Sequence, residues 1–192
     1  LFGYAASDEQ SLNLLPSFLD GLLSASDPRF VLVDGQEGSY YAKDKTTFAN
    51  WYGRMRGSKG IAFKLCGEKE RWAKQGQAGF GLYVTAERNG AWQSQTDLLD
   101  MNYFNPPDFK RALTNAANQS DRYVWLYTEA AGWLDSSSDW YPYNMARVYM
   151  NIISDVTGVP YNPTAEALAA MQKKADGIVQ QRLDITRLPA GV

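Results

Sequence analysis

The stretch Ser120-Asp-Arg-Tyr-Val-Trp-Leu-Tyr-Thr-Glu129 decides how this chain is interpreted. Its centre, Tyr123–Tyr127, is almost entirely apolar and aromatic, which is typical of a strand buried on both faces of a parallel sheet. The strand ends near the carboxylate of Glu129. In folds made of parallel strands and helices, ligands bind beyond the carboxyl ends of the strands. The stretch therefore predicts a parallel sheet that presents an acid at its functional edge.

Short apolar runs alternate with segments of helical period along the chain, which predicts an α/β fold made of (β/α) units. The other strand candidates are Leu1–Ala5, Phe30–Val33 and Phe80–Thr85, while Ile61–Leu65 fits either a short strand or the start of a helix. Four or five units are roughly half of an eight-unit barrel of ~250 residues. We expect a half or partial TIM barrel with additional C-terminal helices.

Helix starts are marked by residues that accept hydrogen bonds from free backbone N–H groups. Asp44 is expected to cap one helix, Asn105 before Pro106 a second, and Asp139 a third that Gly158 and Pro160 end. Apolar residues at helical spacing predict the buried faces of the first two: Phe48, Trp51, Tyr52 and Met55, then Phe109, Ala112, Leu113 and Ala116. We expect a single barrel-type domain over residues 1–192, in which 139–192 is a helical extension.

Composition excludes several classes of protein. The 192 residues carry a net charge of −2 without a basic block, so no nucleic-acid partner is expected. No apolar run approaches the roughly 20 residues of a membrane span. Histidine is absent, which excludes serine–histidine catalysis and the usual zinc enzymes. Cys66, the single cysteine, is more typical of a small buried apolar residue than of a nucleophile.

Acids follow three of the predicted strands: Asp34 and Glu37, then Glu87, then Glu129. Glycosidic hydrolysis needs two carboxyl groups, one protonated and one ionised. Glu37 and Glu129 are the preferred pair because aromatic residues flank both, and apolar surroundings favour a protonated carboxyl group. We expect Glu129 to act as acid/base, Glu37 as nucleophile or base, and Asp34 as positioning support. Each could instead be an ordinary strand-end acid, and Asp34-Gly35 could be a turn.

Aromatic residues make up 14% of the chain, and many fall in predicted loops. They could stack on sugar rings or bury at the bases of loops, and these two interpretations are equally weighted. The expected substrate contacts are Tyr40, Tyr41, Glu87, Trp92, Tyr103, Trp133 and Trp140, with Tyr141 beside them. The mechanism requires no metal and no cofactor.

Three segments in order carry a family resemblance: Leu14-Leu-Pro-Ser-Phe-Leu-Asp-Gly21, Val33-Asp-Gly-Gln-Glu-Gly-Ser-Tyr-Tyr41, and Tyr103-Phe-Asn-Pro106 leading to Tyr123–Glu129. Together they resemble the C-terminal half of poorly characterised bacterial glycoside-hydrolase-like TIM barrels, over about residues 1–135. The resemblance implies that the four strand candidates are the later barrel strands and that Ile61–Leu65 is an inter-strand helix or loop. It also implies that a proton donor on an earlier strand would precede residue 1.

These patterns favour a glycoside hydrolase that acts on poly- or oligosaccharide through paired carboxylates. The alternative is a carbohydrate-binding or scaffold domain of the same fold that lacks catalysis. A lone half-barrel exposes strand edges, so a homo-oligomer or a missing N-terminal half is expected. Leu1 is not Met, which indicates a processed chain or the later part of a longer one. No signal peptide is visible; a secreted or periplasmic location is favoured over others.

Overall fold

The computed structural model describes residues 14–57, 60–85, 99–128 and 147–160. It divides the chain into two compact units, Leu1–Glu129 and Ala130–Val192, which are described separately. The described elements are α1 (Leu14–Ala25), β1 (Leu32–Gln36), α2 (Lys45–Arg56), α3 (Ile61–Leu65), α4 (Lys69–Gln75), β2 (Gly76–Tyr83), α5 (Pro106–Gln119), β3 (Val124–Tyr127) and α6 (Arg147–Thr157). The fold is mixed α/β with a small parallel sheet.

The sheet contains three parallel strands in the order β1-β2-β3. Leu32–Gln36 pairs with Gly76–Phe80, and Phe80–Tyr83 pairs with Val124–Tyr127, so β2 is central. The strand predicted at Phe30–Val33 is displaced, because β1 runs through Asp34, Gly35 and Gln36. The alternative of a turn at Asp34-Gly35 does not hold, because both residues lie within β1.

The other strand predictions are partly correct. β2 begins at Gly76, four residues before the predicted start at Phe80, and ends at Tyr83, two residues before Thr85. β3 agrees closely with Tyr123–Tyr127 in position, but the expectation of burial on both faces is wrong. In the described part of the sheet β3 is an edge strand, and its residues are half-buried or exposed. The strand predicted at Leu1–Ala5 lies outside the described residues.

The two faces of the sheet differ in character. Paired residues of parallel strands lie on the same face, so Asp34 shares a face with Ala78 and Phe80. This is the helix-facing side, because the rings of Phe80 and Phe48 of α2 lie 5.1 Å apart. The opposite side carries Gly35, Gly79 and Gly81, and we call it the glycine face. A Cβ at Gly35 or Gly81 would lie 2.7 Å from an atom of the Trp125 indole, so this ring packs directly on the glycine face.

Helices α2 and α5 confirm the predictions from caps and apolar spacing. Asp44 accepts a hydrogen bond of 2.8 Å from Thr47 N, and Asn105 accepts one of 2.9 Å from Asp108 N. The stripe predicted on α5 is buried throughout. On α2, the inner positions Phe48 and Met55 are buried, whereas Trp51 and Tyr52 are half-buried.

Residues of α1 and α4 also pack on the helix-facing side. Leu19 and Leu23 of α1, together with Cys66 and Trp72, form a buried cluster against which Leu32 and Phe63 pack. Pro16 lies in the first turn of α1, where the absence of its N–H breaks no intrahelical bond. The ambiguous Ile61–Leu65 is the helix α3, as the resemblance implied.

Arg56 and Asp121 connect elements that are distant along the chain. The Arg56 guanidinium donates to Trp72 O and Ala73 O at 3.1 Å each and forms an ion pair of 3.1 Å with Asp121. Asp121 in turn accepts a hydrogen bond of 2.7 Å from Ala78 N in β2. These bonds hold the end of α4 and the start of β3 beside the central strand.

The second unit is described only over residues 147–160. Helix α6 buries Tyr149 and Ile152. It ends at Thr157, and Gly158 follows with a φ of 70°, a conformation that glycine adopts readily at helix ends. The predicted cap Asp139 lies outside the described residues. The single-domain arrangement stays a prediction.

Candidate functional site

Five tyrosines meet where the parallel strands end. They are Tyr83 and Tyr127, the last residues of β2 and β3, with Tyr40, Tyr41 and Tyr103 from loops. We call this group the tyrosine cluster. Ring centroids of Tyr83 lie 5.0, 5.9 and 6.1 Å from those of Tyr127, Tyr40 and Tyr41, and Tyr41 lies 5.6 Å from Tyr103. These are ordinary distances between interacting aromatic rings.

A short helical turn, Glu37–Ser39, brings the first two tyrosines to the cluster. The buried Ser39 hydroxyl donates to Gly81 O at 2.9 Å and accepts from Gly81 N at 3.1 Å. One residue later, Tyr40 O accepts a hydrogen bond of 3.0 Å from Tyr83 N. The turn is therefore attached to β2 by the same backbone groups that a neighbouring strand would use, and Tyr40 and Tyr41 follow it.

Lys43 holds the loop that contributes Tyr103. Its ammonium donates to Tyr103 O at 2.6 Å and to Asp108 at 2.8 Å, and lies 3.9 Å from the centroid of the Tyr103 ring. The Tyr103 hydroxyl donates to Tyr41 O at 2.6 Å. Burial is the main cause that raises the pKa of Tyr103, and the negative charge of Asp108 adds to it. The hydroxyl is thus kept protonated as a donor to Tyr41.

The cluster combines a buried support with exposed rings. Tyr83 is buried, Tyr40 and Tyr103 are half-buried, and the exposed fractions of Tyr41 and Tyr127 are 50% and 36%. The sequence predicts Tyr40, Tyr41 and Tyr103 as substrate contacts, and the structure brings these three together. From the sequence, Tyr83 and Tyr127 are expected only as strand residues. Their positions as the final residues of two paired strands are the signal that could have identified them.

Of the acids expected to carry catalysis, Asp34 and Glu37 are described. Glu37 opens the turn that leads to the cluster, and its side chain is exposed. The partner acid Glu129 lies outside the described residues. So do the expected contacts Glu87, Trp92, Trp133 and Trp140, as well as Tyr141.

Asp34 lies inside the sheet and away from the cluster. It is buried on the helix-facing side and pairs with Ala78, five residues before Tyr83, which corresponds to roughly 16 Å along the strand. Burial raises the pKa of Asp34 to about 6. An acid in this position can support the strand, but it does not face the side of Gly81 and Trp125.

The environment of Cys66 agrees with the expectation of a buried apolar residue. The thiol is buried and donates to Asp20 at 3.0 Å, while Asp20 also accepts bonds from Gly67 N and Glu68 N. Burial, followed by the hydrogen bond to Asp20, raises the pKa of Cys66 to about 12. A cysteine with so high a pKa is almost entirely protonated at neutral pH, and only the thiolate form is strongly nucleophilic.

Within the residues that the structure describes, no three His, Cys, Asp or Glu side chains come together as a metal site. No helix within those residues has the length and apolar character needed to cross a membrane. Comparison of the whole chain with protein-family models, curated proteins and solved structures found no match.

Proposed function

We propose that this protein is a glycoside hydrolase that acts on poly- or oligosaccharide at the tyrosine cluster. The observation that supports this most is the convergence of five tyrosines from separate segments at the carboxyl ends of parallel strands. Ligand sites of α/β proteins lie at these ends. Tyrosine rings combine apolar faces with a hydroxyl, which suits the mixed surface of a sugar.

In the proposed mechanism Glu129 protonates the glycosidic oxygen as the bond to the leaving sugar breaks. Glu37 acts either as the nucleophile that attacks the anomeric carbon or as the base that removes a proton from the attacking water. Glu87, Trp92, Trp133 and Trp140 are proposed to extend the substrate-binding surface. Asp34, which is buried in β1, is proposed to act only as support for the strand.

We also propose that the sheet is part of a (β/α) barrel. Consecutive strands are neighbours in the sheet, and residues of the intervening helices contact its helix-facing side through Phe80 and Leu32. This strand order is that of a barrel segment. In the described part β1 and β3 each have one free edge, which supports pairing with a second copy or with a preceding half.

The hydrolase is tested by release of reducing sugar from a panel of plant, fungal and bacterial glycans. We expect turnover of at least one glycan by the wild-type chain, and a loss of more than about a hundredfold in both Glu37→Gln and Glu129→Gln. Glu70→Gln, which changes an exposed acid on α4, is the matched control and should retain full activity. Size-exclusion chromatography of the same samples reports whether the active species is a monomer.

The second candidate is carbohydrate binding without hydrolysis. It is favoured by the position of Asp34, which is buried on the helix-facing side, so that of the two expected acids that are described only Glu37 is exposed. If the protein binds a glycan without hydrolysing it, and Glu129→Gln does not change the affinity, carbohydrate binding is favoured over hydrolysis. Turnover that is equally fast in wild type and Glu37→Gln would remove the proposed roles of the two acids.

A further inference from the structure

We infer that Tyr103 is a positioning residue, which holds the exposed ring of Tyr41 ready to stack on a sugar and does not stack on the sugar itself. The inference rests on the proposed carbohydrate function and divides the tyrosine cluster into a recognition ring and the residue that fixes it. Three observations carry it: the exposure of Tyr41, the contacts on the Tyr103 ring, and the hydrogen bond that joins the two residues.

Tyr41 is the most exposed member of the cluster, with an exposed fraction of 50%. The rings of Tyr83 and Tyr103 approach it with interplanar angles of 65° and 87°, so neither lies parallel to it. Tyr40 and Tyr127, in contrast, stack on each other with centroids 5.6 Å apart and only 13° between the ring planes, which covers one face of each. Tyr41 is therefore the ring of the cluster best placed to stack on a ligand.

The ring of Tyr103 is occupied by other contacts. The Lys43 ammonium lies 3.9 Å from its centroid, and Phe104 packs against it with centroids 4.9 Å apart. This ammonium donates to Tyr103 O and to one oxygen of Asp108, and the other oxygen of Asp108 pairs with the exposed Arg111 at 2.8 Å. A sugar could reach the face beneath the ammonium only by displacing this paired charge. Tyr103 is therefore poorly placed to stack.

The hydroxyl of Tyr103 instead fixes the backbone from which the Tyr41 ring projects. It donates to Tyr41 O at 2.6 Å, and the N–H of the same peptide group donates to Ser39 O at 2.9 Å. The preceding peptide group is fixed as well, because Tyr40 O accepts a hydrogen bond of 3.0 Å from Tyr83 N. A ring that is held in place before the ligand arrives loses less conformational entropy on binding.

Isothermal titration calorimetry with cellohexaose, xylohexaose and maltohexaose tests this role in a double-mutant cycle. For a hexaose that binds wild type, Tyr41→Ala should weaken binding by about tenfold, because it removes the stacking ring. Tyr103→Phe keeps the ring and removes only the hydroxyl, and should weaken binding by about threefold. In the Tyr41→Ala background, Tyr103→Phe should cause no further loss, because it acts through Tyr41.

The matched control is Tyr123→Phe, which removes the hydroxyl of a tyrosine that is 47% exposed at the opposite end of β3. It should leave the affinity unchanged. Circular dichroism melting curves establish that each variant is folded.

The hydrogen bond can also be measured without a ligand. Labelling tyrosine carbonyls with ¹³C and alanine amides with ¹⁵N marks two bonded pairs in this chain, Tyr4-Ala5 and Tyr41-Ala42. Tyr41→Phe identifies the NMR signal of the second pair by removing it. Tyr103→Phe should move the Tyr41 carbonyl resonance upfield, because the carbonyl loses its donor, whereas Tyr123→Phe should not move it.

The outcomes separate this inference from the proposed function. A hexaose that binds Tyr103→Phe as tightly as wild type would overturn the positioning role and leave the carbohydrate function in place. So would an unmoved carbonyl resonance. An equal loss in the wild-type and Tyr41→Ala backgrounds would mean that Tyr103 acts on the sugar directly. If wild type binds and cleaves no glycan, the proposed function fails, and the role of Tyr41 as a sugar-stacking ring fails with it.

Discussion

The ammonium of Lys43 lies 3.9 Å from the centre of the Tyr103 ring and 2.8 Å from the Asp108 carboxylate. Both charged side chains are about one-fifth exposed, so solvent screens this pair less than a surface pair. Asn115 fixes the same residue from the other direction, because its amide donates to Lys43 O at 2.9 Å. Lys43 thus connects α5 with the residues that follow Tyr41.

We predict that Lys43→Met lowers the free energy of unfolding by about 1–2 kcal/mol, because it removes a partly buried ion pair and a hydrogen bond to Tyr103 O. Methionine is one heavy atom shorter than lysine but has an unbranched apolar side chain like the lysine stem, so little packing is lost. Urea denaturation followed by circular dichroism measures the change. Lys45→Met is the control, since Lys45 is exposed on the first turn of α2, and it should shift stability by less than about 0.5 kcal/mol. Equal effects of the two substitutions would contradict the structural role of Lys43.

Two glycines give opposite predictions for the same substitution. A Cβ at Gly81 would lie 2.5 Å from the Tyr40 ring and 2.7 Å from the Trp125 indole, so Gly81→Ala should destabilise the protein by about 1–3 kcal/mol. Gly53, inside α2, has open space around its Cβ position, so Gly53→Ala should stabilise it by about 0.5–1 kcal/mol. Thermal melting of both variants decides the matter. Stabilisation by Gly81→Ala would mean that the glycine face is not closely packed.

Asp34 should make stability depend on pH in a defined direction. Its folded pKa of about 6 lies above the pKa of about 3.9 that an aspartate has in an unfolded chain, so the folded state binds the proton more tightly than the unfolded state. The free energy of unfolding then falls as pH rises from about 4 to about 6, by roughly 2–3 kcal/mol at most. In Asp34→Asn this decrease should disappear, which urea denaturation across that pH range can measure. If the free energy of unfolding falls with pH equally in the variant and in wild type, Asp34 is not the cause of the decrease.

The Asp20 carboxylate should protect Cys66 and stabilise the junction between α3 and α4. Asp20→Ala removes the acceptor for Cys66 Sγ, Gly67 N and Glu68 N, so we predict a loss of about 1–2 kcal/mol in stability. The rate at which Cys66 reacts with Ellman's reagent at pH 8 should be very low in the folded wild type and higher in the variant. Fast reaction in the native wild-type protein would contradict the buried thiol.

Local signals predicted the helices of the first unit better than the strands. Asp44 and Asn105 gave the helix starts because a cap depends on residues within one turn. The start of β2 was not predicted because glycine has low strand propensity. Gly79 and Gly81 are tolerated in this strand because side chains distant in the sequence pack against them. Asp34-Gly35 resembled a turn for the same reason, because the Trp125 ring that packs on Gly35 is also distant in the sequence.

The site was predicted in part. Tyr40, Tyr41 and Tyr103 fall in loops rich in aromatic residues, which is a visible pattern. In the sequence, Tyr83 and Tyr127 cannot be distinguished from aromatic residues buried in the middle of a strand. Only the register between β2 and β3 shows that both lie at the same end of the sheet. The orientation of Asp34 could not be predicted either, because it depends on which residues of β1 pair with β2.

The Ser39 hydroxyl donates to Gly81 O and accepts from Gly81 N, and neither of these bonds involves a tyrosine ring. The attachment of this turn to the central strand is therefore chemically independent of the side chains that follow it. Exchange of residues 40 and 41, over evolution or by an engineer, leaves these hydrogen-bonding groups in place, while a new side chain at position 40 must still pack against Gly81. Scaffold and recognition are separable here, so new specificities are best sought at positions 40 and 41 with Ser39 kept unchanged.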